Sequence, residues 1–198
     1  MNKFKKLLIG TTLSISLFGL NSQADATTTT HSVKSGETYW TISQQHGLSV
    51  NYLKSINNKS SNKLNVGEKL VLPSAIISES DKDLMAQLVS AEAKGESYAG
   101  KVAVATVILN RVDSIKFPNT VKGVIYQQVD GHYAFTPVQN GAINKPADAQ
   151  SKKAVEEALA YRGQGNGSLY FYNPNTSTSG WIWSREVTVV IGNHRFAR

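Results

Sequence analysis

One carboxylate in this sequence sits where an ordinary structural role does not explain it. Leu84, Met85, Leu88 and Val89 recur at helical spacing, and Glu92 continues the same stripe one turn beyond Leu88. An unpaired charge on the apolar face of a helix is costly. Either Glu92 pairs with a buried cation such as Arg111 and only holds the fold, or it lines a cleft. In a cleft, desolvation would raise its pKa and keep it protonated as a general acid. Glu96 follows Gly95 and is expected in the loop after the helix.

Other residue types narrow the chemistry. The chain has no cysteine, which rules out disulfides, cysteine nucleophiles and thiolate metal sites. No Gly-x-Ser-x-Gly elbow supports a serine hydrolase. A catalytic zinc takes three protein ligands. Beyond residue 80 the only histidines are His132 and His194, which lack an HExxH-like spacing, although Asp130 could complete a set. No metal and no cofactor are expected.

Glu92 must be positioned by the elements around it. Ser80 or Asp81 can cap its helix. The next helix, Val102 to Val112, is apolar almost all the way round and should be the buried centre, with Glu92 beside it. Phe117-Pro118 breaks the chain, Thr120 can cap a helix carrying Val121, Val124 and Ile125, and residues 130–146 are loop-rich. Asp148 can cap a helix with Ala154, Val155, Ala158 and Leu159. Ser168–Tyr172 and Glu186–Ile191 are β-rich. Helices first and a small sheet last predict an α+β domain over residues 81–198.

A smaller module precedes it, joined by a linker at residues 74–80. Val33 lies in a short extended piece, and Lys34-Ser35-Gly36-Glu37 reads as a turn. Thr38 can cap a helix ended by Gly47, and Ser49 a second helix ended by Asn57-Asn58. Lys69–Leu72 is a short strand stopped by Pro73. The pattern predicts a βααβ unit with Trp40 in its core. The stretches His31–Ser43, Leu53–Asn57 and Val66–Pro73 together resemble a LysM domain over residues 31–73. The resemblance implies binding of N-acetylglucosamine-containing polymers in a shallow groove, with Gly36, Glu37, Thr38 and Asn57 on its walls.

The first residues belong to neither core. Lys3, Lys5 and Lys6 precede an apolar run from Leu7 to Leu20, and Ser22-Gln23-Ala24 offers small residues for cleavage. Residues 1–24 therefore read as a signal peptide, with Ala26 as a second cleavage point. The run is shorter than the ~20 residues that span a bilayer, so no stable membrane anchor is expected after cleavage. Loss of three lysines takes the formal charge from +7 to 7 − 3 = +4. No basic cluster with interleaved aromatics suggests a nucleic-acid partner. A secreted, wall-associated monomer is the expectation.

The second module resembles the SleB/CwlJ group of cell-wall hydrolases, which includes spore-cortex-lytic enzymes. The resemblance rests on Ala91–Glu96, Gly100–Val112, Phe117–Gln127, Asn173-Pro174, Trp181–Ser184 and Gly192–Phe196. It implies a lysozyme-like, mainly helical domain with lytic transglycosylase activity on peptidoglycan glycan strands. It also implies that Glu92 is the catalytic residue. Lys94 stands where the group usually carries arginine, which loses bidentate pairing. Gln127, Tyr172, Asn173 and Trp183 are candidate cleft residues, although each could equally serve packing or turns. Two alternatives remain: a zinc-dependent amidase, and a non-catalytic wall-binding protein.

Overall fold

The structure is a computed structural model that describes residues 29–72 and 77–198. The signal peptide read at 1–24, the start of the Thr-rich stretch, Pro73 and linker residues 74–76 lie outside the described residues.

The first module is the expected βααβ unit. Strands β1 (Thr29–Ser32) and β2 (Lys69–Leu72) pair antiparallel, with His31 opposite Leu70. Helix α1 (Tyr39–His46) starts with a reciprocal cap in which the Thr41 amide donates to Thr38 Oγ1 at 3.1 Å and the Thr38 amide to Thr41 Oγ1 at 2.9 Å. It stops at Gly47, whose left-handed φ of 62° needs no Cβ. Helix α2 (Val50–Ile56) follows, and Leu48, Leu53, Leu70 and Leu72 close the core with Val33, Tyr39 and Ile42.

Trp40 departs from the expectation that it lies in this core. Neighbouring helical residues are about 100° apart, so the face that buries Tyr39 and Ile42 turns Trp40 away. Its ring lies 6.4 Å from that of Tyr161 in the second module. The two modules pack together here, with α1 against α7 (Ala149–Ala160) and Ser49 Oγ donating to the Arg162 carbonyl at 3.1 Å.

Helix α3 (Glu79–Glu92) begins before Ser80 and Asp81, because Ser78 is the cap and accepts from the Asp81 amide at 3.1 Å. Ile77 is already buried in the second module's core, so part of the stretch read as linker belongs to that module. Helix α4 (Tyr98–Val112) is capped by Ser97, one turn before Val102. It buries Val104, Ala105, Val107, Ile108 and Leu109 between α3, α5 (Val121–Ile125) and α7. The loop-rich region holds a short hairpin, β3 (Gln128–Val129) with β4 (His132–Tyr133), and a single turn α6 (Thr136–Gln139).

The closing sheet has three strands in the order β5 (Tyr170–Tyr172), β7 (His194–Ala197), β6 (Val187–Ile191), with α8 (Gly180–Trp183) before β6. The two β-rich stretches read from the sequence are thus separated by β7, which pairs with both. Among the described residues the chain combines a βααβ module with a mainly helical domain carrying a small sheet, an α+β arrangement.

One polar network ties three helices together. Lys101 is buried on α4, and its Nζ donates to Asp148 Oδ2 at 2.8 Å and to Ser151 Oγ at 2.9 Å. Asp148 also caps α7 through the Ser151 amide at 2.7 Å and accepts from Ser90 of α3 at 3.0 Å. The lysine first, and the capping bonds after it, hold the Asp148 carboxyl far below the usual carboxylate range. This contribution is present above the ordinary aspartate pKa and is lost only in strong acid. Asp148→Ala strands the Lys101 ammonium in the interior. Unfolding measured in urea at pH 7 should show a loss of about 2–4 kcal/mol, and unchanged stability would show that water satisfies Lys101.

Candidate active site

Glu92 is the last residue of α3 and is half-buried. Among the described residues its carboxylate makes no hydrogen bond or ion pair. Burial pushes it up to about 7, against a smaller opposing pull from Arg111. The ion pair that would have made Glu92 purely structural is not formed.

Arg111 satisfies its charge in another way. It is buried on α4, and its Nε donates to the Leu169 carbonyl at 2.7 Å. The guanidinium lies 5.0 Å from the ring centre of Phe117, 4.9 Å from Phe135 and 5.6 Å from Tyr170. Ring faces attract a cation, so three aromatics and one carbonyl take the place of a carboxylate. Its Nη1 has no hydrogen-bond partner. The aromatic cage was not legible in the sequence, since Phe117, Phe135 and Tyr170 come from separate segments.

Glu96, four residues on, is engaged. Its carboxylate accepts from the Asn193 amide at 3.3 Å and from Asn193 Nδ2 at 3.2 Å, and lies 3.6 Å from His194 Nδ1. It clamps the turn between β6 and β7, where Gly192 has a φ of +56° and a Cβ would collide with the carboxylate. Two acids of one short motif therefore have different lots: Glu96 is consumed by hydrogen bonds and Glu92 is free.

The residues named as cleft candidates fall into three places. Tyr172 is buried against Ile182 and Ala197, with its ring 5.7 Å from Trp183, which is exposed and has Arg195 over it at 5.9 Å. Asn173 Oδ1 accepts from the Asn175 amide at 2.9 Å, which is turn chemistry. Gln127 is half-buried after α5, and its carbonyl accepts from the Ala134 amide at 2.9 Å. Trp181, not among those cleft candidates, stands 5.0 Å from Tyr170 and so adjoins the Arg111 cage.

Lys94 is exposed and makes no ion pair among the described residues. With Ala91, Lys101, Lys145 and Asp148 it lines a separate cavity of about 360 Å³ that excludes Glu92. His132 and Asp130 stand at the exposed β3–β4 turn, whereas His194 packs against Phe171 and Phe196. Among the described residues no three His, Asp or Glu side chains converge in a way that could hold a metal.

Of the candidate wall residues in the first module, Glu37 is occupied internally. It accepts from the Lys34 amide at 2.8 Å and contacts His31 Nε2 at 2.7 Å, and these bonds hold its carboxyl below the usual range. Asn57 is a structural clamp whose Nδ2 donates to the Leu53 and Val71 carbonyls while its Oδ1 accepts from the Val71 amide at 2.7 Å. Gly36, with a φ of +83°, makes the turn. Thr38 lines a cavity as well as capping α1.

The Cell Wall Hydrolase family model matches residues 95–197, more than half of the chain. The chain belongs to the Cell Wall Hydrolase family. Its first module, residues 31–73, matches the LysM domain. The family match starts at Gly95, so Glu92 lies just before it. The spore cortex-lytic enzyme of Halalkalibacterium halodurans is 46% identical over 129 residues, which cover 65% of this chain and 38% of that protein. The chain thus spans well under half the length of that relative. The crystallised catalytic domain of Bacillus cereus SleB is 46% identical, with a TM-score of 0.56, covering 62% of this chain and 92% of that one. The catalytic domain of the germination-specific lytic transglycosylase SleB from Bacillus anthracis is 44% identical, also with a TM-score of 0.56, covering 62% of this chain and 98% of that one. The cell wall hydrolase module, which combines helices with a small sheet, is similar in fold to these domains.

The contrast between the two glutamates has a measurable consequence. Glu96→Ala removes the clamp on the β6–β7 turn and should destabilise this family member by roughly 1–3 kcal/mol in urea unfolding. An unaltered midpoint would show that the turn holds without Glu96.

Proposed function

We propose that this protein is a peptidoglycan-degrading enzyme that cleaves glycan strands between N-acetylmuramic acid and N-acetylglucosamine as a lytic transglycosylase. The observation that carries this reading is the Glu92 carboxyl, unpaired, half-buried and raised to about 7. It is supported by membership of the Cell Wall Hydrolase family and by the likeness to a domain described as a lytic transglycosylase.

A glycosidase of the usual kind needs two carboxylates flanking the bond. Among the described residues Arg111 is the charge that acts on Glu92, and no second acid adds to the shift. A single glutamate suffices when the substrate supplies the nucleophile. Protonated Glu92 gives its proton to the glycosidic oxygen as the bond to C1 breaks. The same carboxylate then takes the proton of the sugar's C6 hydroxyl, whose oxygen bonds to C1 and closes an anhydro ring. Glu92 ends as it began, and no water is consumed. Arg111 steadies the carboxylate during the interval when it is charged. The exposed Trp183 ring, backed by Tyr172, would offer a face to sugar, with Gln127 and Asn173 as further candidates for its hydroxyls.

The leader read at residues 1–24 would deliver the protein outside the membrane. Among the described residues no helix is long and apolar enough to cross one. The LysM domain would then keep the enzyme on wall glycan.

Glu92→Gln keeps the volume and removes the transferable proton. Turnover of purified glycan strands should fall by at least the ~10²–10⁴-fold typical of general acid–base catalysis, with the fold retained. A stable and fully active variant would sink the mechanism.

Acidity gives an independent check. A carboxyl raised to about 7 is protonated below that value, so kcat/KM should fall as pH rises through about 7. The same shift makes wild-type stability decline between the ordinary glutamate pKa and about 7, because the unfolded chain ionises first. The melting-temperature advantage of Glu92→Gln should therefore grow over that window. A profile flat from pH 5 to pH 9 would contradict the assignment.

A further inference from the structure

The seam between the two modules forms an open cavity of about 620 Å³ that the proposed chemistry does not use. Its walls come from both sides. Thr38 and Trp40 belong to the start of α1, Asn51 to α2 and Asn62 to the loop before β2, whereas Tyr161 and Gln164 follow α7. The Gln164 amide donates to the Tyr161 carbonyl at 2.9 Å, so one tight turn presents both side chains.

The chemistry of these walls is that of a sugar site. A pyranose ring has apolar C–H faces that lie against aromatic rings, and a rim of hydroxyl and acetamido groups that exchange hydrogen bonds with amides. Trp40 and Tyr161 stand 6.4 Å apart with planes tilted by 49°, which leaves an open wedge of ring surface, and Tyr161 is 43% exposed. Asn51, Asn62 and Gln164 supply amides at the rim, all three exposed. Lys54 Nζ donates to Asn62 Oδ1 at 2.9 Å and to the Ser60 carbonyl at 3.1 Å, fixing the loop and leaving the Asn62 amide hydrogens unused. The Tyr39 hydroxyl and the Trp40 indole N–H, on two rings that line the cavity, have no hydrogen-bond partner. A buried polar group without a partner is uncommon and costly.

We propose that this seam is a composite glycan site, in which the catalytic module completes the LysM groove with Tyr161 and Gln164. The occupant is a β-1,4-linked strand of N-acetylhexosamines, gripped by both modules at once. The proposal rests on the reading of the LysM domain as a glycan binder and adds residues outside that domain. The strand is thereby held at a fixed position relative to the hydrolase module instead of on a free tether.

The test is calorimetric titration of the full chain with the β-1,4-linked pentamer of N-acetylglucosamine, which contains no muramic acid. Tyr161→Ala and Gln164→Ala are compared with wild type after their melting temperatures have been shown to match it. Each substitution should weaken binding by roughly threefold to tenfold. Among the described residues Gln164 makes no hydrogen bond to the first module, and matched melting temperatures make its loss a reading of recognition and not of the packing of the modules. Wild-type binding that neither substitution weakens overturns the composite site and leaves the LysM domain as the sole binder. No binding by the wild-type chain overturns the glycan reading of the LysM domain, and this proposal with it.

Discussion

Arg111 carries a charge in the interior with no carboxylate to neutralise it, and the surroundings of Glu92 follow from that. A buried guanidinium must be compensated, and here the compensation comes from the Leu169 carbonyl and the faces of Phe117, Phe135 and Tyr170. Those groups lie on three separate stretches of chain, so the arginine draws the α4–α5 connection, the loop-rich region and the start of β5 toward the end of α4. Had a carboxylate served instead, Glu92, whose charge Arg111 already feels, would have given up its proton to the ion pair. Because rings do the work, the carboxyl stays unpaired and its pKa is set mainly by burial.

The same economy divides the two acids of the Ala91–Glu96 stretch. Glu92 sits on the last turn of α3, where the helix stripe carries it inward. Glu96 lies past Gly95 and is reached by a chain segment nearly a hundred residues away, through Asn193 and His194 at the β6–β7 turn. One holds the small sheet against the helices, and the other keeps an unpaired carboxyl.

The union of the modules has its own logic. LysM is a small fold whose core is a handful of side chains, and a domain of that size has little surface to spare. Turning Trp40 outward costs it one large ring, which Tyr161 of the neighbouring module covers in part. The seam that results is polar at its rim and aromatic within, unlike the apolar core of either module.

Much of this was written in local sequence. The caps at Thr38, Thr120 and Asp148, the stop at Gly47 and the apolar run of α4 are signals carried within a few residues, because capping and periodicity are short-range physics. The anomaly of Glu92 was likewise legible, since a charge on an apolar stripe needs no partner to be noticed. What Glu92 does with its charge was not legible, because that turns on whether Arg111 spends its own on a carboxylate or on rings brought from distant segments. Trp40 was misplaced for a related reason. Tyr39 and Trp40 are adjacent aromatics on one helix, and only the rotation set by packing against Leu53 and Leu70 decides which faces inward. The central strand β7 has no local signal either, for His194 and Arg195 look like a polar turn until β5 and β6 pair on either side. Sequence determined the elements and the odd carboxylate, while tertiary structure decided its partners, since burial and charge compensation are properties of the assembled interior.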